Sequence, residues 1–195
     1  MHLVLGLGNP GDAYAATRHN VAWRVLDELA RRHRAVPGDA APEYASRRLE
    51  VAGRAVELLQ PLTFMNRSGG ALAAWRARHP DAPEALLVVS DDVYLPLGAL
   101  RLRARGGDGG HRGLESVAAA LGGTAFARLR LGVGAAESSA ELRQHVLETF
   151  APEEEQVLGE AVRRAADAVE CWVVEGPAGA MNRFNRRIPK EESET

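Results

Sequence analysis

With 195 residues, 46% hydrophobic and 26% charged, the chain has the size and composition of one globular domain able to bury a core without a disulfide or metal staple. Its one cysteine, Cys171, excludes an intramolecular disulfide, and no stretch of roughly 18 consecutive apolar residues exists to cross a membrane. The formal net charge of −2 makes no general case for nucleic acid, but it conceals a basic block: Arg101, Arg103, Arg105, Arg112, Arg128 and Arg130 face only Asp108 and Glu115 between positions 101 and 130.

In chain order, His2 to Leu7 reads as a buried strand ending in the turn signal Gly8-Asn9-Pro10-Gly11. It is too short for a signal peptide and lacks a basic segment before it, so a cytoplasmic location is expected. From Asn20, placed as an N-cap, Val21, Val25, Leu26 and Leu29 recur at helical spacing. Pro37 to Pro42 reads as a loop. Arg48–Val51 and Val56–Gln60 flank Gly53 as two strands that pair. Leu62 to Gly70 reads as irregular, followed by a helix from Ala71 to Arg78 that Pro80 stops.

Leu86 to Ser90 reads as a buried strand delivering Asp91 and Asp92 at its carboxyl end. Ala99–Arg103 and Arg128–Val133 alternate with the strand period of two. Between them lies the glycine-rich stretch Gly106 to Gly113, then a short helix that Gly122 ends. Pro152 and Glu153, Glu154 and Glu155 open a long helix running towards Val174, with Cys171 as a core residue. Residues 188–195 form a polar tail expected to be disordered. The alternation of strands and helices argues for an α/β domain.

Gly6-Leu7-Gly8-Asn9-Pro10-Gly11 formally matches a dinucleotide-binding G-x-G-x-x-G. Such a site needs a helix opening at the third glycine and an acid ending the next strand; here Asp27 and Glu28 fall inside a helix. Three polar clusters remain. Asn9, Tyr14, Thr17, Arg18, His19 and Asn20 crowd a strand-to-helix connection. Taken alone, His19 reads as a surface or capping residue rather than a catalyst. Phe64-Met65-Asn66-Arg67-Ser68 combines core-filling residues with a cap or an oxyanion-directed amide at Asn66. Ser90-Asp91-Asp92 sits on the ligand side of an open α/β sheet. No G-x-S-x-G elbow, H-E-x-x-H helix or zinc-ligand spacing is present, so no metal or cofactor is expected.

The sequence GLGNPG-x-x-Y-x-x-TRHN, then QPLTFMN-x-SG, SDD-x-x-LPLG, GGHRGL and RLRLGVG resembles the bacterial peptidyl-tRNA hydrolases in order and spacing from His2 to about Gly134, with a similar C-terminal Met181-Asn182-Arg183-Phe184. The resemblance implies a single globular domain over 1–187, a twisted, mostly parallel mixed β-sheet surrounded by helices. It also implies a monomer acting on the acceptor stem and 3′ end of peptidyl-tRNA. By the same resemblance His19 is the general base towards water, Asp91 the carboxylate orienting it and Asn66 the amide placing substrate or water. Asn9 favours peptides over free aminoacyl groups. Tyr14, Phe64 and Met65 are substrate contacts, His111 shapes the loop over the site, and Arg103 and Arg130 grip the tRNA near its 5′ phosphate. For Arg101 and Arg128 solvated strand faces stand as the alternative to a tRNA contact. Arg112 stands where the family has Asn, so that residue's role does not transfer, and a hydrolase-like RNA-binding protein without activity is the alternative reading. Activity is expected to rise between roughly pH 6 and 7 as His19 loses its proton.

Overall fold

The computed structural model describes residues 1–81, 83–134 and 141–185; the tail expected at 188–195 lies outside them. One mixed sheet of seven strands forms the frame: β1 (His2–Gly6), β2 (Val36–Ala41), β3 (Tyr44–Val51), β4 (Arg54–Pro61), β5 (Ala85–Asp92), β6 (Leu100–Arg103) and β7 (Ala127–Gly132). Their order is β2-β3-β4-β1-β5-β7-β6. The four central strands β4, β1, β5 and β7 are parallel, whereas β3 and β6 run antiparallel to their neighbours.

Every residue of β1 is buried, as expected of a central strand covered on both faces. Residues of opposite parity feed two cores. Val4, Leu87, Val89, Leu129 and Leu131 pack with α1 (Val21–Arg32) and α5 (Pro152–Phe184). Leu3, Leu5, Leu59 and Val88 pack with α2 (Ser68–Arg78) and α3 (Arg112–Leu121). A short helix, α4 (Leu142–Leu147), lies between β7 and α5. The chain leaves β1 through α1 towards β2–β4, then crosses through α2 to β5 on the other side of β1. That reversal opens a crevice at the carboxyl ends of β1 and β5, where α/β sheets bind ligands. Among the described residues no helix is long and apolar enough to cross a membrane.

The structure corrects several expectations. Residues Val36–Ala41 form strand β2 rather than a loop. Their Pro and Gly are tolerated because β2 is the sheet edge, with a register shift between Pro37 and Ala40. Helix α2 starts at Ser68, not Ala71. Gly69, which looks like a breaker, is the point where α2 meets α3: its N–H donates to Ser116 Oγ (3.0 Å), and an added Cβ would collide with the Ser116 carbonyl. Helix α5 continues past Val174 to Phe184 across a break at Gly176 (φ 75°), just before Pro177. Ala52 and Gly53 (φ 48° and 78°) form a tight left-handed turn that pairs β3 with β4.

The glycines of the apparent dinucleotide motif serve helix packing. A Cβ on Gly6 would strike Leu26 and one on Gly8 the ring of Trp23, while Trp23 Nε1 donates to the Gly6 carbonyl (3.1 Å). The α2–α3 crossing offers a direct check. Gly69→Ala is expected to destabilise the fold by roughly 1–3 kcal/mol through overpacking, lowering the urea midpoint at constant m-value. An unchanged midpoint would show that the two helices part without cost.

Candidate functional site

The carboxyl ends of β1 and β5 bring the first and third polar clusters together. Asp91, almost wholly buried at the end of β5, accepts on one oxygen from two imidazoles: His19 Nδ1 at 2.8 Å and His111 Nε2 at 2.9 Å. His111 caps α3, its Nδ1 accepting from the N–H groups of Gly113 (3.1 Å) and Leu114 (3.3 Å). That bond fixes the His111 proton on Nε2, facing Asp91. His19 holds its Nδ1 proton towards the same oxygen, which leaves Nε2 as its acceptor nitrogen.

Burial works against the imidazolium of His19, but the charge of Asp91 and its hydrogen bond together outweigh it, so the pKa lies above the ordinary 6.5. Burial alone would likewise raise the Asp91 carboxyl. The two imidazoles, by charge and hydrogen bond, instead hold it well below the usual carboxylate range.

These three residues are also a group of ligand type, with their donor atoms within 4.8 Å of one another. Two N–H groups converging on one oxygen at 2.8 and 2.9 Å is hydrogen-bonding geometry. Ligation would place nitrogen and oxygen each about 2.0–2.2 Å from an ion.

The loop carrying His19 is braced from far along the chain. Arg18, buried, forks onto Glu154 (3.0 and 2.7 Å), donates to the Val133 carbonyl (2.9 Å) and stacks over Phe150 (4.7 Å). Glu154 also caps α5 by accepting from the Ala151 N–H (2.8 Å). Asn20 stands at the N-cap position of α1 but does not cap it. Its amide instead clamps the Asn9 backbone, accepting from the Asn9 N–H (2.8 Å) and donating to the Asn9 carbonyl (2.9 Å). Asn9 Oδ1 in turn accepts from the Met65 N–H (2.8 Å), which ties the second cluster to the first.

Met65 is buried; Asn66 beside it is exposed and makes no hydrogen bond among the described residues. Ser68 Oγ returns to the Met65 carbonyl (2.8 Å), so neither Asn66 nor Ser68 caps α2. Tyr14 and Phe64 meet edge to face (6.2 Å), with Phe64 54% exposed.

In the basic block, the β6–β7 register puts Arg101 opposite Arg130 and Arg103 opposite Arg128, all four on one face. Arg101 and Arg103 are exposed. Arg128 is not a solvated strand residue: it is buried over Phe126 (4.3 Å) and donates to the carbonyls of Gly107 (2.7 Å) and Thr124 (3.1 Å). Arg130 pairs with Asp92 (3.2 Å) and donates to the Gly107 and Asp108 carbonyls. The two arginines thus hold the glycine-rich loop whose next residues include His111.

A cleft of about 150 Å³ opens over His19, Asp91 and His111, with Tyr94, Arg112 and Arg130 among its walls. A larger hollow of about 350 Å³ near Leu3, Leu72 and Leu121 has Arg76 as its one charged group among the described residues. The chemistry therefore belongs to the smaller cleft.

A sequence profile described as Peptidyl-tRNA hydrolase matches residues 3–193. The chain belongs to the peptidyl-tRNA hydrolase family. Among similar proteins, the peptidyl-tRNA hydrolase of Roseiflexus castenholzii is 48% identical over 98% of this chain and 90% of its own length. That of Chloroflexus aggregans is 45% identical over 95% and 99%. The crystal structure of peptidyl-tRNA hydrolase from Acinetobacter baumannii superposes with a TM-score of 0.87 at 34% identity, covering 97% of this chain and 96% of that one. Members of this family are enzymes, and the fold just described is theirs. Sequence reasoning missed Arg18 as a brace and Asn20 as a clamp; their place inside the TRHN block was the available signal.

The buried pair can be tested directly. In wild type the His19 imidazole is expected to titrate above 6.5 by NMR, because Asp91 favours its charged form. In Asp91→Asn the burial penalty remains without the charge, so the midpoint should fall. An unmoved midpoint would show that Asp91 does not set it.

Proposed function

We propose that this chain hydrolyses the ester between peptide and tRNA in peptidyl-tRNA, with His19 as general base. The observation carrying this reading is the 2.8 Å contact between His19 Nδ1 and the buried Asp91 carboxylate, which leaves Nε2 as the acceptor nitrogen of a residue that lines the cleft. Family membership supplies the substrate class.

Water attacks the ester carbonyl carbon and passes its proton to His19 Nε2. The imidazolium so formed is stabilised by Asp91, which stays ionised because its pKa is depressed. Collapse of the tetrahedral intermediate breaks the bond to the ribose oxygen. His19 returns the proton to that leaving oxygen, giving free peptide and free tRNA. An ester yields to one positioned base with amide donors, so no covalent nucleophile is required.

Asn66 serves as the amide that places water or steadies the oxyanion; its exposed, uncommitted side chain is available for this. Asn9, fixed by Asn20 and Met65, presents its amide nitrogen to the peptide end, with Tyr14, Phe64 and Met65 as neighbouring contacts. His111 positions Asp91 and, through its cap on α3, the glycine-rich loop. Arg103 and Arg130 attract the phosphates of the acceptor stem, placing it without reading sequence. Arg130 does so from within its contacts to Asp92 and the loop, and Arg103 from open solvent.

Wild type is expected to release tRNA from an N-blocked aminoacyl-tRNA, and His19→Ala to lose at least about 10²-fold in rate. The base works unprotonated. Because the pKa of His19 is raised, the rising limb of the pH–rate profile should be centred above 6.5, higher than the sequence suggested. A profile flat through that limb, or equal rates in the two proteins, rules His19 out as the base.

Phosphate attraction has its own signature. Arg103→Ala should weaken tRNA binding and reduce the log–log salt slope by about 0.7–0.9. Arg103 is the cleaner substitution, since Arg130→Ala would also release the glycine-rich loop. An unchanged slope removes Arg103 from the tRNA surface.

A further inference from the structure

The cleft carries groups that the hydrolytic steps do not use. Tyr94 is 69% exposed, two residues beyond β5. Its N–H donates to Asp92 Oδ1 (2.8 Å), so the ring is rooted on the strand that supplies Asp91. The ring lines the cleft together with Arg112, the first residue of α3, and Arg143 of α4. Both arginines are exposed, and neither forms an ion pair or side-chain hydrogen bond among the described residues. The cleft's own acids are otherwise engaged, Asp91 by two histidines and Asp92 by Arg130. Tyr94 falls at an open position of the SDD-x-x-LPLG block, and Arg112 replaces the family Asn.

An exposed aromatic residue in a cleft that also holds two guanidinium groups unpaired among the described residues suits a ligand that carries a flat π-surface and negative charge in one unit. A nucleotide combines the two in one unit, whereas in an unmodified peptide the ring and the negative side chain belong to different residues. We propose that Tyr94, with Arg112 and Arg143 beside it, is a stacking platform for the base at the 3′ end of the tRNA, and so determines specificity for the nucleoside side of the ester. This rests on the hydrolase reading, because it takes tRNA as the occupant of the cleft. Base stacking on an aromatic ring is sequence-tolerant and, when the ring is removed, costs about tenfold or more in affinity.

The test uses a trinucleotide with the CCA sequence whose terminal adenine is replaced by the fluorescent base 2-aminopurine, titrated into the full chain. Wild type and Tyr94→Phe are expected to quench the fluorophore with similar affinity. Tyr94→Leu should bind about tenfold more weakly with the quench lost, and Arg112→Asn should bind more weakly with a shallower salt slope. With N-blocked aminoacyl-tRNA, Tyr94→Leu should raise KM about tenfold at nearly constant kcat, and Tyr94→Phe should restore it.

Wild-type quench and KM in Tyr94→Leu would overturn the proposal. So would a KM effect that appears only when the amino acid is aromatic, which would put the ring on the peptide instead. The trinucleotide needs no cleavage to report binding. Tyr94-dependent quench in a protein without hydrolase activity would sink the hydrolase reading alone, and an active enzyme indifferent to Tyr94→Leu would sink this one alone.

Discussion

Asp91 is a carboxylate withdrawn from water at the end of a central strand, and an ion in that position persists only with donors aimed at it. Both donors are imidazoles, and they arrive from opposite layers of the molecule. His19 comes from the turn before α1, on the face shared with α5; His111 comes from the cap of α3, on the face shared with α2. One oxygen therefore pins two helical layers to the edge of the sheet. The same contact decides which nitrogen of His19 carries its proton towards Asp91, so packing and tautomer are set by one arrangement.

The glycine-rich loop extends that arrangement to the basic face. Arg128 and Arg130 both donate to the Gly107 carbonyl, and the His111 N–H bonds the Asp108 carbonyl at 3.2 Å. Charges that by composition suggested phosphate contact are thus partly engaged in holding backbone. Arg101 and Arg103 on β6 stay open to a phosphate, projecting from a strand whose leucines are buried beneath it.

Much of this was legible in the sequence where the signal was local. Continuous apolar runs marked β1 and β5, Gly122 marked the end of α3, and the strand-end position of Asp91 placed it on the ligand side of the sheet. What was not legible depended on partners distant in sequence. Residues Val36–Ala41 carry turn-forming residues and become a strand only because β3 offers them an edge. Gly69 resembles a helix breaker until Ser116 is brought against it. Arg128 alternates like a surface residue, yet Phe126 and a loop 21 positions away bury it. His19 reads as a capping residue for the same reason: its defining partner lies 72 residues further on. Its catalytic reading came from the family pattern and acquired a physical basis only in the contact with Asp91.

The brace on the His19 loop also ties the site to a distant part of the fold. Arg18 is held by Glu154 and packed on Phe150, both supplied at the start of the last helix. Removing that carboxylate would leave a buried guanidinium without its counter-charge beside Phe150 and the Val133 carbonyl. The placing of His19 is therefore coupled to how firmly α5 is seated, although no described residue of α5 lines the cleft.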